Sequence, residues 1–311
     1  MDQSNNSQSD DDHTRANQHS NLLLAAQWNI NSANCHRDEL IILAYEQQPI
    51  AIALQESRCS KVSSLGRYLK EQYTWFLRPD PVNSATRGVA LPIRKNFEAV
   101  EVELDPTVPA VAASIRNPTQ ATLVSMYLPP STTNEEFKDA ISKVINAVTG
   151  PLILMGDFNA HHETWGSRKT DQKGRDLLTL VVENELVVLN SKHGTRIDSR
   201  TGNFSSIDLT IVSTGLAYQL SWDVDNDNRG SDHFPIFVSL VGREQQKQTK
   251  RRQWKFKQAD WGNFENFIDE RTDRISSIKE FTRIVKTAAE KTSHDPVQQS
   301  EKNPHLGGDR K

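Results

Sequence analysis

Between Leu22 and Leu240 apolar residues come in short runs, separated by turn-rich or helical stretches. The runs 22–28, 50–54, 88–93, 110–115, 121–127, 152–156, 186–189, 207–212 and 234–240 have the length and composition of β-strands. Segments 38–47, 134–149 and 170–183 carry the spacing of amphipathic helices. Strands dominate the count and helices fall between some of them, which predicts two packed sheets flanked by helices over residues 21–242.

Both ends of the chain differ from this middle. Residues 1–20 hold Asp2, Asp10, Asp11 and Asp12 against Arg15 alone, among Ser, Asn and Gln, a composition that predicts disorder. Residues 243–258 form a basic linker, where Arg243, Lys247, Lys250, Arg251, Arg252, Lys255 and Lys257 face the single acid Glu244. Phe264, Phe267, Ile268, Ile275, Ile278, Phe281, Ile284 and Val285 then recur at near-helical spacing, so 259–292 is read as a helical connector and 293–311 as a disordered tail. Charge divides accordingly. Residues 243–311 have 16 cations against 11 acids, while 21–242 have 20 against 25, a net of −5. An acidic middle that took a polyanionic substrate would need a local basic surface or bound cations.

No apolar stretch has the length of a secretory core or a membrane span, and the expected setting is soluble and intracellular, with no membrane partner. Cys35 and Cys59 are too few for a disulfide scaffold or a zinc site and are read as reduced thiols.

The chemistry lies where apolar runs end. Gln27-Trp28-Asn29-Ile30-Asn31, Gln55-Glu56, Met126-Tyr127, Gly156-Asp157-Phe158-Asn159 and Ser231-Asp232-His233 each put a carboxylate, amide, phenol or imidazole at a strand terminus, and Asp208 lies within an apolar run. Singly, each has an ordinary reading as a turn, solvated or packing residue. Together they supply the parts of phosphodiester hydrolysis. Glu56 with a neighbouring amide or Asp232 offers oxygen ligands to a hard divalent cation. Asp157 can orient or deprotonate water, Asn159 can donate to a phosphoryl oxygen, and His233, held by Asp208, can donate to phosphate. HExxH, Cys/His zinc patterns and the Walker glycine loop are absent, which removes zinc hydrolase and NTPase readings.

In this order the motifs QWNIN, LQE, MYLPP, GDFNAHH, SSIDLTIV and GSDHFPI resemble the endonuclease/exonuclease/phosphatase superfamily, related to DNase I and apurinic endonucleases. GDFNAHHETWG with SDHFPI looks more narrowly like the endonuclease domain of I- and Jockey-type non-LTR retrotransposons. The resemblance implies an α/β (α+β) four-layered sandwich, two mainly antiparallel sheets flanked by helices. It also implies a Mg²⁺-dependent nick, with Mn²⁺ as a substitute, that leaves a 3′-hydroxyl to prime reverse transcription. Carried over by motif, Asn29, Glu56 and Asp232 fall at the metal, and Asn29, Asn159 and His233 at the substrate phosphate. Tyr127, Asp157, Asn159, Asp208 and His233 fall at catalytic positions. Asn31 stands where some apurinic endonucleases have aspartate, which suits the retrotransposon branch. Arg87-Gly88 replaces a glycine pair as a surface variation, and His161 and His162 are expected to touch DNA or the Trp165 loop rather than metal.

Implied partners are DNA, element RNA and a reverse transcriptase domain absent from this chain, which reads as a fragment, a truncated copy or a nicking module alone. The nucleus is the implied site of action, with the cytoplasm second. A phosphatase or phospholipid phosphodiesterase of the same superfamily, and a non-catalytic DNA-binding remnant, are the alternatives.

Overall fold

The strands that carry the site are apolar at nearly every position because they are covered on both faces. Strand β1 (Leu22–Asn29) runs parallel to β2 (Ala51–Gln55), and β7 (Ala121–Tyr127) runs parallel to β8 (Leu152–Asp157). Each pair is central in its own six-stranded sheet. The first sheet has the order β13 (Leu220–Val224), β14 (Ile236–Leu240), β1, β2, β4 (Val89–Arg94), β3 (Tyr73–Arg78). The second has β5 (Ala99–Val102), β6 (Ala110–Ile115), β7, β8, β12 (Asp208–Ser213), β9 (Leu186–Val188). All other pairings within these sheets are antiparallel. A two-residue hairpin, β10 (Arg196–Ile197) and β11 (Phe204–Ser205), stands apart. The computed structural model describes residues 22–59, 61–79, 88–241, 260–272 and 278–292; the expectations for 1–20, 243–258, 293–311 and Arg87 lie outside them.

Side chains alternate across each strand, so one strand feeds two cores. In β8, Ile153 and Met155 join Leu123, Val111, Leu91 and Ala53 between the sheets, while Leu152 and Leu154 face outward. Outside the second sheet they meet α3 (Asn134–Ala147) and α4 (Gln172–Glu183) through Phe137, Ile141, Val144, Leu177 and Val181. Outside the first, Trp28, Ile52 and Leu54 pack with Leu40 and Leu43 of α1 (Arg37–Gln47) and Leu69 of α2 (Arg67–Gln72). The result is the expected helix, sheet, sheet, helix layering, with a single turn, α5 (Thr214–Ala217), after β12.

The chain forms two compact units, Met1–Gln245 and Gln246–Lys311. In the second, α6 (Trp261–Thr272) and α7 (Ile278–Thr292) pack together, with the Phe267 ring between the cations of Arg271 at 3.8 Å and Lys291 at 4.5 Å.

Strands β3, β5, β10, β11 and β13 lie outside the runs predicted from the pattern. Three of them, β3, β5 and β13, are sheet edges, where one backbone side is unpaired and partial exposure lets polar residues such as Glu101 and Asp223 interrupt the apolar pattern.

Thr133 and Glu136 form a reciprocal cap at the start of α3, each side chain accepting from the other's backbone N–H. Thr133→Ala is expected to reduce stability by about 1 kcal/mol, read as a fall in Tm of roughly 2–4 °C. An unchanged Tm would show that this cap contributes nothing.

Candidate active site

Parallel pairing brings the C-terminal ends of β1, β2, β7 and β8 to one edge of the two sheets, and antiparallel pairing brings the beginnings of β12 and β14 to the same edge. Register fixes the match: Asn29 is opposite Gln55, Tyr127 opposite Asp157, and Asp157 opposite Asp208. Just past the strand ends the backbone turns left-handed at Asn31 (φ 45°), Glu56 (φ 47°) and Asn159 (φ 46°). Non-glycine residues rarely adopt this conformation, and it concentrates where side chains are aimed at a site. Here the turned residues line a cleft of about 210 Å³ with Tyr127, Pro130, Asp157, Arg196, Asp232 and His233.

Two hydrogen-bonded chains meet in this cleft. In the first, the Asn29 amide donates to Glu56 Oε1 at 3.1 Å and to Asp157 Oδ2 at 2.9 Å, while Asn29 Oδ1 accepts from the Asn31 backbone at 3.2 Å. In the second, His233 Nδ1 is 2.9 Å from both carboxylate oxygens of Asp208, and Thr195 Oγ1 donates to Asp208 Oδ2 at 2.6 Å. Holding Nδ1 in this way leaves Nε2 facing Asp157 Oδ2 and Asp232 Oδ1, each at 3.9 Å.

The electrostatics follow from burial. Loss of water pushes the Asp157 carboxyl up to about 7 and the charge of Asp208 adds to this, while His233 and the bonds from Asn29 and Asn159 oppose it. Burial works against a charged His233, but the charge and hydrogen bond of Asp208, helped by Asp157 and Asp232, hold the imidazole up at about 9. The arrangement therefore favours the imidazole as a cationic donor and holds the neighbouring Asp157 carboxyl well above the ordinary carboxylate range.

The structure brings Asn29, Glu56, Tyr127, Asp157, Asn159, Asp208, Asp232 and His233 to this one edge, each with particular partners, whereas His161 and His162 are not among the residues lining the cleft. Asn159 donates to the Leu128 carbonyl at 3.1 Å, and its own N–H caps Asp157 Oδ1. Asp232 Oδ2 accepts from Arg196 Nε at 2.9 Å. Asn31 Oδ1 accepts from Arg58 at 2.7 Å. His162 stacks on Trp165, with centroids 5.1 Å apart, and accepts from the Thr164 N–H, so its ring serves the Trp165 loop.

Thr195 and Arg196 carry no sequence signal of their own, because they neither end an apolar run nor belong to a spaced motif, and Ser231 was visible only as a member of the Ser231-Asp232-His233 group. Arg196 bridges to His233 through the backbone, and the Ser231 hydroxyl donates to the Asn29 carbonyl while accepting from the His233 N–H. Lys173 at the cleft rim donates to the Pro130 carbonyl at 2.9 Å.

Among the described residues Asp157, Asp208 and His233 have ligand atoms within 4.8 Å of one another. Both Asp208 oxygens are already taken up by His233 and Thr195, so this carboxylate is an orienting group rather than an open ligand. Glu56 and Asp157, by contrast, converge on one electropositive group, the Asn29 NH₂. An all-oxygen donor set of this kind fits a hard divalent cation.

Residues 121–237 match the family described as "Endonuclease-reverse transcriptase". Two Drosophila melanogaster proteins, the probable RNA-directed DNA polymerases from transposon BS and transposon X-element, are each 25% identical over 226 and 227 residues, or 68% of this chain. The chain matches only about a quarter of their length, 24% and 23%. Among solved structures, the endonuclease domain of TRAS1, a telomere-specific non-LTR retrotransposon, superposes with TM-score 0.59 at 23% identity, covering 71% of this chain and 99% of that one. An AP endonuclease from Archaeoglobus fulgidus superposes with TM-score 0.58 at 16% identity over 70% and 99%. A 3′ phosphatase from Neisseria does so with TM-score 0.58 at 18% identity over 71% and 100%.

What these solved structures share with the chain is the fold, the DNase I-like arrangement of two six-stranded sheets flanked by helices.

Asp208→Asn would leave the shape of the Asp208–His233 contact in place but remove the charge that favours imidazolium. The expected result is a fall in kcat of about 10²–10⁴-fold with little change in circular dichroism. Wild-type turnover in this variant would remove His233 from the chemistry.

Proposed function

We propose that the chain is a Mg²⁺-dependent DNA endonuclease that nicks one strand and leaves a 3′-hydroxyl. The observation carrying this reading is the convergence of the Glu56–Asn29–Asp157 chain and the Asp208–His233 pair on one open cleft.

In the proposed reaction Asp157 aligns a water molecule and takes its proton. The water oxygen forms the new bond to phosphorus, the P–O3′ bond breaks in line with it, O3′ leaves as the hydroxyl by taking a proton from solvent, and the phosphate stays on the 5′ end of the downstream strand. His233 Nε2–H donates to a phosphoryl oxygen, where negative charge grows, and Asp208 keeps that nitrogen aimed and protonated. Asn159, fixed by the Leu128 carbonyl, presents its remaining amide N–H to the same group. Glu56, with Asn29 and Asp157 beside it, would hold Mg²⁺ or Mn²⁺. When bound, the ion acts as a Lewis acid toward the phosphoryl group.

Tyr127 also borders a second cleft of about 450 Å³, walled by Arg78, Pro106, Pro109, Pro129 and Thr132. Open surface on both sides of Tyr127 suits a long polymer more than a small phosphate ester. The transposon relatives support chromosomal DNA as the substrate, hence a nuclear site of action. They also support a reverse transcriptase as the functional partner, with element RNA as the template extended from the nick.

Supercoiled-plasmid nicking by the full chain, with Mg²⁺ or EDTA, tests the proposal. Open circles are expected with Mg²⁺ only, and Asp157→Ala and His233→Ala are each expected to lower the rate by at least about 10²-fold. The ends should be substrates for a polymerase without prior treatment. Folded wild-type protein that releases phosphate from monoesters but nicks no plasmid would favour the phosphatase alternative. Mg²⁺-independent DNA binding without cleavage would favour a binding remnant.

A further inference from the structure

Three carboxylates, Glu56, Asp157 and Asp232, line the cleft, and Asp208 lies directly behind it. A phosphodiester brings one more negative charge into this field. Among the residues lining the cleft, Arg196 is the permanent cation. Its position is set twice, by the backbone bridge to His233 and by the bond from Nε to Asp232 Oδ2 at 2.9 Å. Its neighbour Thr195 ties the same segment to Asp208. This short stretch therefore braces both acids that flank His233.

A guanidinium has five N–H donors in a planar fork. In Arg196 one of them, on Nε, is used by Asp232, and the Nη groups make no hydrogen bond to another described residue. The side chain is 39% exposed, on the cleft side of an otherwise buried histidine. An anchored guanidinium that lines the cleft, with its outer donors uncommitted among the described residues, is suited to a phosphate, which accepts two parallel N–H bonds.

We propose that Arg196 is a further catalytic residue. Its Nη groups take the non-bridging oxygens of the scissile phosphodiester, and Asp232 serves as the anchor of that guanidinium. Arg196 transfers no proton; it offsets the charge that accumulates as the water–phosphorus bond forms and the P–O3′ bond breaks. The inference rests on the phosphodiesterase reading of the same cleft.

The test compares full-length wild type with Arg196→Ala and Arg196→Lys in three measurements: plasmid nicking, calorimetric Mn²⁺ binding and calorimetric binding of inorganic phosphate. Arg196→Ala is expected to lower kcat about 10²–10³-fold and to weaken phosphate binding at least about tenfold, with Mn²⁺ affinity unchanged. Added guanidinium should restore part of the rate to Arg196→Ala. Arg196→Lys should remain well below wild type, because an ammonium can pair with Asp232 but cannot present the fork. Wild-type kcat in Arg196→Ala, or a loss of Mn²⁺ affinity that tracks the loss of rate, would overturn the proposal. The phosphate measurement separates the two readings. Wild type that nicks nothing yet binds phosphate at least about tenfold more tightly than Arg196→Ala would reject the endonuclease and keep the Arg196 assignment. Equal phosphate affinities would reject that assignment whatever the nicking result.

Discussion

The side chain of Gln27 is fully buried between the two sheets, where an unpaired amide would be strongly unfavourable. It is paired on both sides: Nε2 donates to the Gly156 carbonyl at 3.0 Å and Oε1 accepts from Thr210 Oγ1 at 2.9 Å. Gln55 adds a second crossing by donating to Ser125 Oγ, which in turn donates to the Leu54 carbonyl. Hydrophobic contact holds two sheet faces together but tolerates sliding. Directional bonds in a dry interior do not. Gln27 is two residues before Asn29, and Gly156 is the residue before Asp157, so this seam aligns the half-site of one sheet with the half-site of the other. The Asn29–Asp157 bond at 2.9 Å depends on that alignment.

Close approach reinforces the alignment. A Cβ at Gly156 would lie 2.5 Å from the Met126 carbonyl oxygen, so only glycine lets β7 and β8 run at this spacing beside the site. Beyond the strand ends, the left-handed turns at Glu56 and Asn159 convert a flat sheet edge into a cleft by directing both side chains inward. Rigid strands, strained exits and a sealed polar seam together hold an acid at about 7 beside a histidine at about 9, neither of which would persist in water.

Much of this was legible in the sequence, for a physical reason. Central strands must be apolar on both faces, so β1, β2, β7 and β8 stand out as runs, and polar residues at their ends are conspicuous. Asn29, Glu56, Tyr127, Asp157 and Asn159 were visible in that way. Asp208 was visible because a carboxylate inside an apolar run demands a partner. Arg196 and Thr195 were not, since a two-residue strand has no periodicity and an arginine in a polar segment looks like any solvated cation. Their importance comes from contacts 12 to 36 residues away in the chain, which only the folded arrangement supplies. Gln27 was quoted within a motif, but its role as a bridge between sheets could not be read from neighbours in sequence.

Gln27→Met keeps the approximate volume and removes both inter-sheet bonds, so it isolates the alignment on which the site depends. The decisive measurement is the turnover of that variant in plasmid nicking, expressed per folded molecule, alongside its unfolding free energy. Loss of the bonds to the Gly156 carbonyl and the Thr210 hydroxyl, the latter keeping its bond from Trp222 Nε1, should reduce stability by about 1–3 kcal/mol. Turnover should fall well beyond the small unfolded fraction, because Asn29 and Asp157 are no longer held in register. Wild-type turnover in a folded Gln27→Met protein would contradict the account and place the origin of the site's geometry elsewhere.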